Sequence, residues 1–186
     1  MTRRFTEIAF GPAVRQMQEE QGSRAAGARL ESMSYDDSTL GPRETEFIER
    51  IDHFYMASIA ESGWPYVQFR GGPKGFLRVL DDRTIAFGDF RGNRQYISTG
   101  NVREDDRVAL ILLDQARRMR LKIFARATTR EVDSELRARL ADPDYEATIE
   151  RAFVLEVEAF DWNCPQHITP RYSLEELGAL GLQTDL

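Results

Sequence analysis

From Met119 to Ala127 the residues alternate without a break, and this confines the chain more than any other stretch. Met119, Leu121, Ile123 and Ala125 fall on one side, and Arg118, Arg120, Lys122, Phe124 and Arg126 on the other. A period of two belongs to a strand with one buried and one solvated face. The cations around Phe124 repel one another unless water or an anion lies against them. A wet sheet face meets that demand as well as an anionic ligand does.

Other strand signals lie close by. Arg107 to Asp114 carries the continuous apolar run VALILL, the pattern of a central strand buried on both faces. Phe54 to Ala60 and Pro65 to Arg70 flank Glu61-Ser62-Gly63, a hairpin turn, with Tyr66, Gln68 and Arg70 sharing one face. Gly71-Gly72-Pro73 breaks the second strand, Phe76 to Leu80 resumes it, and Asp81-Asp82-Arg83 turns into Thr84 to Gly88. Glu150 to Phe160 predicts a long last strand facing Phe153, Leu155, Val157 and Ala159 inward.

Helical signals are weaker. Pro12 to about Met33 is polar and interrupted near Gly22, while Pro42 opens PRETEFIERID with Phe47, Ile48 and Ile51 on one face. A short helix after Arg94 is expected to end near Gly100-Asn101. Ser134 to Leu140 suits another, and Ser173 with Glu176 fits a capping box for SLEELGAL. Six or seven strands at short spacing, with helices mainly at the ends, predict a mainly-β antiparallel barrel with helical additions. The expected organisation is a single domain: an N-terminal helical arm and link over 1–41, a core over 42–163, and a C-terminal loop and helix over 164–186.

With 25 basic against 31 acidic residues, the formal charge of −6 lacks the general attraction that drives nucleic-acid binding. Local basic clusters then serve something smaller. MTRRFTEIAFGP has no apolar core of a secretory signal, and Val108 to Leu113 is far shorter than a membrane span. A cytoplasmic location without membrane or nucleic-acid partners is expected. Cys164, the one cysteine, reads as a buried thiol, and with His53 and His167 it makes no metal spacing. Two histidines and no G-x-S-x-G leave hydrolytic catalysis poorly supplied. His53 reads as structural. His167 lies in DWNCPQHITPRY, a proline-bounded loop dense in aromatic and amide groups, where structural and functional roles stay open.

The second basic element is Asp89-Phe90-Arg91-Gly92-Asn93-Arg94, read as the loop that opens a helix. It combines a permissive glycine with two guanidiniums where helix N–H groups lack partners, a place that suits a phosphate. A solvated turn accounts for it equally well when taken alone. RGGPKG matches neither the dinucleotide fingerprint nor the P-loop, and a bent hairpin corner explains its glycines. Two basic elements on a small barrel are expected to serve one anionic ligand.

The order GWPYVQ, GFLRVLDDRTIAFGDFRGNRQYIS, DRVALILLD and RLKIFARA resembles the FMN-binding split-barrel proteins related to pyridoxamine 5'-phosphate oxidase, and more closely their oxidase-related branch. The resemblance covers about Phe47 to Thr129, and NCPQHI is similar to a loop that recurs in that branch. It implies an antiparallel split β-barrel forming a homodimer, with two FMN molecules in clefts at the interface. The family's serine–arginine–lysine phosphate loop falls on Gly92, Asn93 and Arg94, of which only Arg94 is a cation, so Arg91 stands in for the missing one. Its paired aromatic and hydroxyl residues fall on Phe87 and Gly88, and its flavin-contacting glutamine on Arg120, next to Lys122.

The family's first flavin strand fits in two registers, because RGGPKG carries an insertion; Gln68, Arg70, Lys74 and Arg78 are the candidates. Trp162, Asn163, Gln166 and His167 are expected to border the substrate side. The arginine–leucine motif with which the true vitamin oxidase grips the vitamin phosphate is not found, and Asp161 to Tyr172 stands in its place. The resemblance therefore implies an FMN-dependent oxidoreductase of an unidentified small molecule, with NADH or NADPH as candidate electron donor. The alternatives are a flavin-binding storage or sensor protein without turnover, or the same barrel with haem or a deazaflavin.

Overall fold

Seven strands form one antiparallel sheet in the computed structural model, which describes residues 3–182. They are β1 (His53–Ile59), β2 (Pro65–Gly71), β3 (Arg78–Val79), β4 (Thr84–Phe90), β5 (Arg107–Asp114), β6 (Met119–Arg130) and β7 (Ile149–Trp162). Their spatial order is β2-β1-β5-β6-β7-β4-β3. The alternation in β6 sends Leu121, Ile123, Ala125 and Ala127 into a core shared with Phe54 and Met56 of β1, Leu110 and Leu112 of β5, and Phe153 and Leu155 of β7. Each fully buried Phe or Leu there contributes roughly 1.5–3 kcal/mol by transfer from water.

The sheet curls until its ends face each other, and side chains rather than a backbone ladder bridge the gap. Arg70 Nη1 of β2 donates to Asp89 Oδ1 of β4 at 2.9 Å. Ser98 Oγ donates to Gln68 Oε1 at 2.7 Å. The mainly-β split barrel expected from the sequence is the observed fold.

Seven helices dress the described barrel: α1 (Arg4–Ala9), α2 (Pro12–Glu20), α3 (Arg24–Ser32), α4 (Pro42–Ile48), α5 (Ile97–Glu104), α6 (Ser134–Leu140) and α7 (Leu174–Ala179). The interruption expected near Gly22 separates α2 from α3, with Gly22 at φ +70°. Helix α1 carried no sequence signal; it is held from outside its own segment. Phe5 stacks on Phe124 at 5.0 Å, and Arg3 reaches Asp37 and Asp161 at 3.3 and 2.7 Å.

Three local expectations need correction. Only Arg78–Val79 is strand in Phe76 to Leu80, because Phe76 and Leu77 turn inward to fill the core. β2 and β3 lie at opposite ends of the sheet, so RGGPKG is a crossing connection and not a hairpin corner. Gly75 is required there: at φ +75°, an added Cβ would sit 2.7 Å from the Glu49 carbonyl oxygen. The third correction is α5, which continues past Gly100-Asn101 to Glu104. Asn101 Nδ2 donates to Ser58 Oγ at 3.0 Å, a tertiary bond that helps offset the helix cost of glycine, about 1 kcal/mol.

Candidate functional site

The gap between β2 and β4 is the cleft where chemistry-bearing residues gather. β2 turns Tyr66, Gln68 and Arg70 inward; the end of β4 supplies Asp89; β7 supplies Glu150, with Arg151 behind it on Asp89; the loop 92–96 and the start of α5 form the rim. Arg70 rests on the faces of Phe87 and Phe153, 5.5 and 5.1 Å from their centroids. Burial pushes its pKa down from the ordinary arginine value, and Asp89 opposes that shift. Asp89 also accepts from Arg151 Nη1 at 2.9 Å, and Arg151 stacks over Tyr96 at 4.7 Å.

On the rim, Arg94 Nε donates to Tyr96 Oη at 3.1 Å, and Tyr96 Oη donates to Glu150 Oε2 at 3.1 Å. Arg91 Nε donates to Glu150 Oε1 at 3.0 Å, and that bond holds the carboxyl below the usual glutamate range. Arg94 and Tyr96 both take left-handed backbone, at φ 59° and 51°. Asn93 Oδ1 accepts from the Gln95 N–H at 3.2 Å, which shapes the turn. No side chain among the described residues caps the N-terminus of α5, and its first residues, Ile97, Ser98 and Thr99, line the cleft.

The cleft fits a phosphomonoester. Arg70 and Arg94 line the cleft together with Asp89 and Glu150, and Arg91 and Arg151 adjoin it as partners of those two carboxylates. With those two adjoining arginines included, the cluster has a positive surplus that suits a phosphomonoester dianion, about −1.5 to −2 at neutral pH. Arg70 Nε is buried without a partner among the described residues, and an added Cβ on Gly92 would meet nothing there closer than 4.0 Å, leaving that backbone open to a ligand.

The remaining expected residues lie elsewhere. The Phe87 ring is in the core, stacked on Phe153 at 5.0 Å. A side chain at Gly88 would meet the Ile149 side chain at 3.0 Å, a tight contact that Ile149 would have to relieve by shifting. Lys74 pairs with Glu175 at 2.6 Å beside a separate cavity of about 480 Å³ between α7 and the β5–β6 turn. Arg78, half-buried on β3, leaves its Nε unpartnered.

Arg120 and Lys122 project from the outer face of β6, opposite to the face that carries Gln68 and Arg70. One chain therefore does not bring the two basic elements to a single ligand. Arg126 is engaged by Asp106 and Glu158, each at 2.8 Å, and Phe124 is covered by Phe5. Arg120 Nη2 reaches the Cys164 carbonyl at 3.5 Å, which joins β6 to the C-terminal loop.

In that loop region Trp162 is taken up by α4: its indole donates to Glu44 at 2.7 Å, and Arg43 stacks over it at 4.1 Å. Asn163 donates to Asp161 at 3.0 Å and leaves its Oδ1 buried without a partner. Gln166 and His167 are exposed, His167 at φ 64°. Cys164 is exposed, not the buried thiol expected, because Ile168 rather than Cys164 is the residue of this loop that turns inward. Among the described residues no group of histidine, cysteine and carboxylate side chains can hold a metal.

The sequence reading missed Ser98, Tyr96, Glu150 and Arg151 as cleft residues. Only Tyr96 and Ser98, beside the basic loop, had a local signal; Glu150 and Arg151 arrive through the β4–β7 pairing.

Over residues 40–165 the sequence matches the family profile of pyridoxamine 5'-phosphate oxidase. The chain belongs to this family. Its fold is that of the flavin-binding split barrels. A Lactobacillus delbrueckii protein assigned as a pyridoxamine 5'-phosphate oxidase is 22% identical, with a TM-score of 0.50 over 67% of this chain and 94% of that one. An FMN-binding protein from Syntrophomonas wolfei is 12% identical, with a TM-score of 0.51 over 64% of this chain and 83% of that one. At these identities the likeness shows the fold alone. No curated protein matches the sequence. No helix among the described residues is long and apolar enough to cross a membrane.

Proposed function

We propose that the protein binds FMN as a homodimer and acts as a flavin-dependent oxidoreductase on a small molecule. The observation that carries this reading is the cluster of Arg70 and Arg94 in the cleft, with Arg91 and Arg151 adjoining it, beside the start of α5, which no side chain among the described residues caps. Arg94 and Arg91 hold the phosphate with the α5 N–H groups, while Gln68 and Arg70 line the inner wall. Bound FMN supplies the hydride or electron transfer; the protein supplies orientation and electrostatics.

Cleft size supports a second copy. The cavity holds about 70 Å³, against roughly 300–1,000 Å³ for typical small-molecule sites. Tyr55, Trp64, Val67 and Phe69 expose 41, 75, 60 and 57% of their surface on the β1–β2 hairpin, an apolar area suited to a partner. Lys122 lies in the same outer row as Tyr55 and Phe69, through Ile111. A dimer that buries this face would place Lys122, and Arg120 beside it, at the interface, within reach of a flavin bound there. Those cations would supply positive charge beside a bound flavin.

Titration of FMN against the purified protein tests the reading: quenching of flavin fluorescence is expected, and its absence refutes FMN binding. A second reading, flavin binding without turnover, has one observation in its favour. The cleft's two carboxylates, Asp89 and Glu150, are both held by arginines and are poorly placed to move protons. Stopped-flow mixing with NADH and NADPH separates the two, since a flavin that neither reduces belongs to the second reading.

A further inference from the structure

We propose that Glu150 is a built-in counter-anion of the phosphate loop and sets the affinity for the phosphorylated end of the ligand. The identity of that ligand rests on the FMN reading; the charge competition applies to any phosphomonoester. Glu150 stands near the start of β7, its side chain 12% exposed. Oε1 takes the Arg91 Nε hydrogen bond at 3.0 Å, Oε2 takes the Tyr96 hydroxyl at 3.1 Å, and Arg151 Nη2 lies 3.6 Å from Oε2. The same hydroxyl receives Arg94 Nε at 3.1 Å.

One carboxylate thus occupies a phosphate's position among three guanidiniums: Arg91 directly, Arg151 at ion-pair distance, and Arg94 through a phenol hydroxyl. A phosphate that engages Arg91 must displace Glu150 or share the guanidinium with it. Either way, two like charges approach within a half-enclosed cleft, where their repulsion exceeds its value in water. The carboxylate also holds the loop while no ligand is bound, because Arg94 and Tyr96 sit in left-handed backbone that side-chain-bearing residues rarely adopt unaided. Affinity for phosphate is given up in exchange for a preformed loop.

Glu150→Gln separates these two roles. The amide oxygen still accepts a hydrogen bond from Arg91 or Tyr96, while the competing charge is gone. Dissociation constants of FMN and of riboflavin, which lacks the phosphate, are measured for wild type and E150Q by fluorescence quenching. Thermal unfolding is followed with and without inorganic phosphate. FMN is expected to bind E150Q roughly tenfold more tightly, with riboflavin unchanged and phosphate raising the Tm of E150Q more than that of wild type. Equal or weaker FMN binding by folded E150Q overturns the proposal, as does a parallel gain for riboflavin. Should E150Q not fold, the same comparison is read from E150A. If wild type and variant both fail to bind FMN, the flavin reading falls, and the phosphate-dependent Tm difference alone decides the role of Glu150.

Discussion

Asp89 joins the stability of the barrel to the charge of the cleft. It is buried and holds Arg70 and Arg151, each at 2.9 Å, across the seam where the sheet has no backbone ladder. Removing one member of a buried pair leaves the other charge without compensation, at a cost of about 3–5 kcal/mol. Asp89→Ala is therefore expected to lower unfolding stability by about 3 kcal/mol in urea, and a loss below 1 kcal/mol would show that Arg70 finds another partner. Arg94 behaves differently, because it is exposed and its hydrogen bond among the described residues is to Tyr96. Arg94→Ala leaves stability nearly unchanged and weakens FMN binding tenfold or more, given about 1.5–3 kcal/mol for a hydrogen bond to a charged group. Unaltered affinity in an FMN titration would move the phosphate elsewhere.

Among the elements, α1 shows how a six-residue helix with little intrinsic stability is kept in place. Phe5 closes over Phe124, and Arg4 shares Glu158 with Arg126. Hydrogen bonds from Arg126 and then Arg4 depress the Glu158 carboxyl below its ordinary value of 4.5. A depressed carboxylate contributes stability that is full above the unfolded value and is lost as pH falls through the folded one. Docking of α1 is expected to weaken below pH 4.5, seen as loosened Phe5 and Phe124 ring signals in an NMR pH titration. In Glu158→Gln that acid step should shrink; an unchanged step would assign it to another carboxylate. Phe5→Ala, which removes the ring and leaves a cavity over Phe124, should cost about 3 kcal/mol in denaturant unfolding.

At the scale of the whole molecule the proposed dimer makes its own prediction. Phe69→Glu places a charge in the exposed apolar row without touching the core, since Phe69 faces outward and 57% of its surface is exposed. Light scattering after size exclusion is expected to show a dimer for wild type and a monomer for F69E. FMN affinity should fall with the dimer, because Arg120 and Lys122 of the second copy are then lost. A monomeric wild type would leave the outer cations without a role in flavin binding.

Much of this architecture is legible along the chain. Periodicity in Met119 to Ala127, the continuous VALILL run and the Glu61-Ser62-Gly63 turn are local properties, set by alternating side chains and permissive backbone, and they determined the strands and the barrel class. The motif order from Trp64 to Ala127 likewise determined the family. Which cations are free to meet a ligand was decided only by tertiary structure. Arg126 is neutralised by Asp106 and Glu158, and Arg91 must be shared with Glu150, partners brought beside them by folding rather than by a local motif. Folding also put Arg70 on the inner face and Lys122 on the outer one. Charge pairing depends on strand register and sheet closure, and sequence spacing alone reports neither.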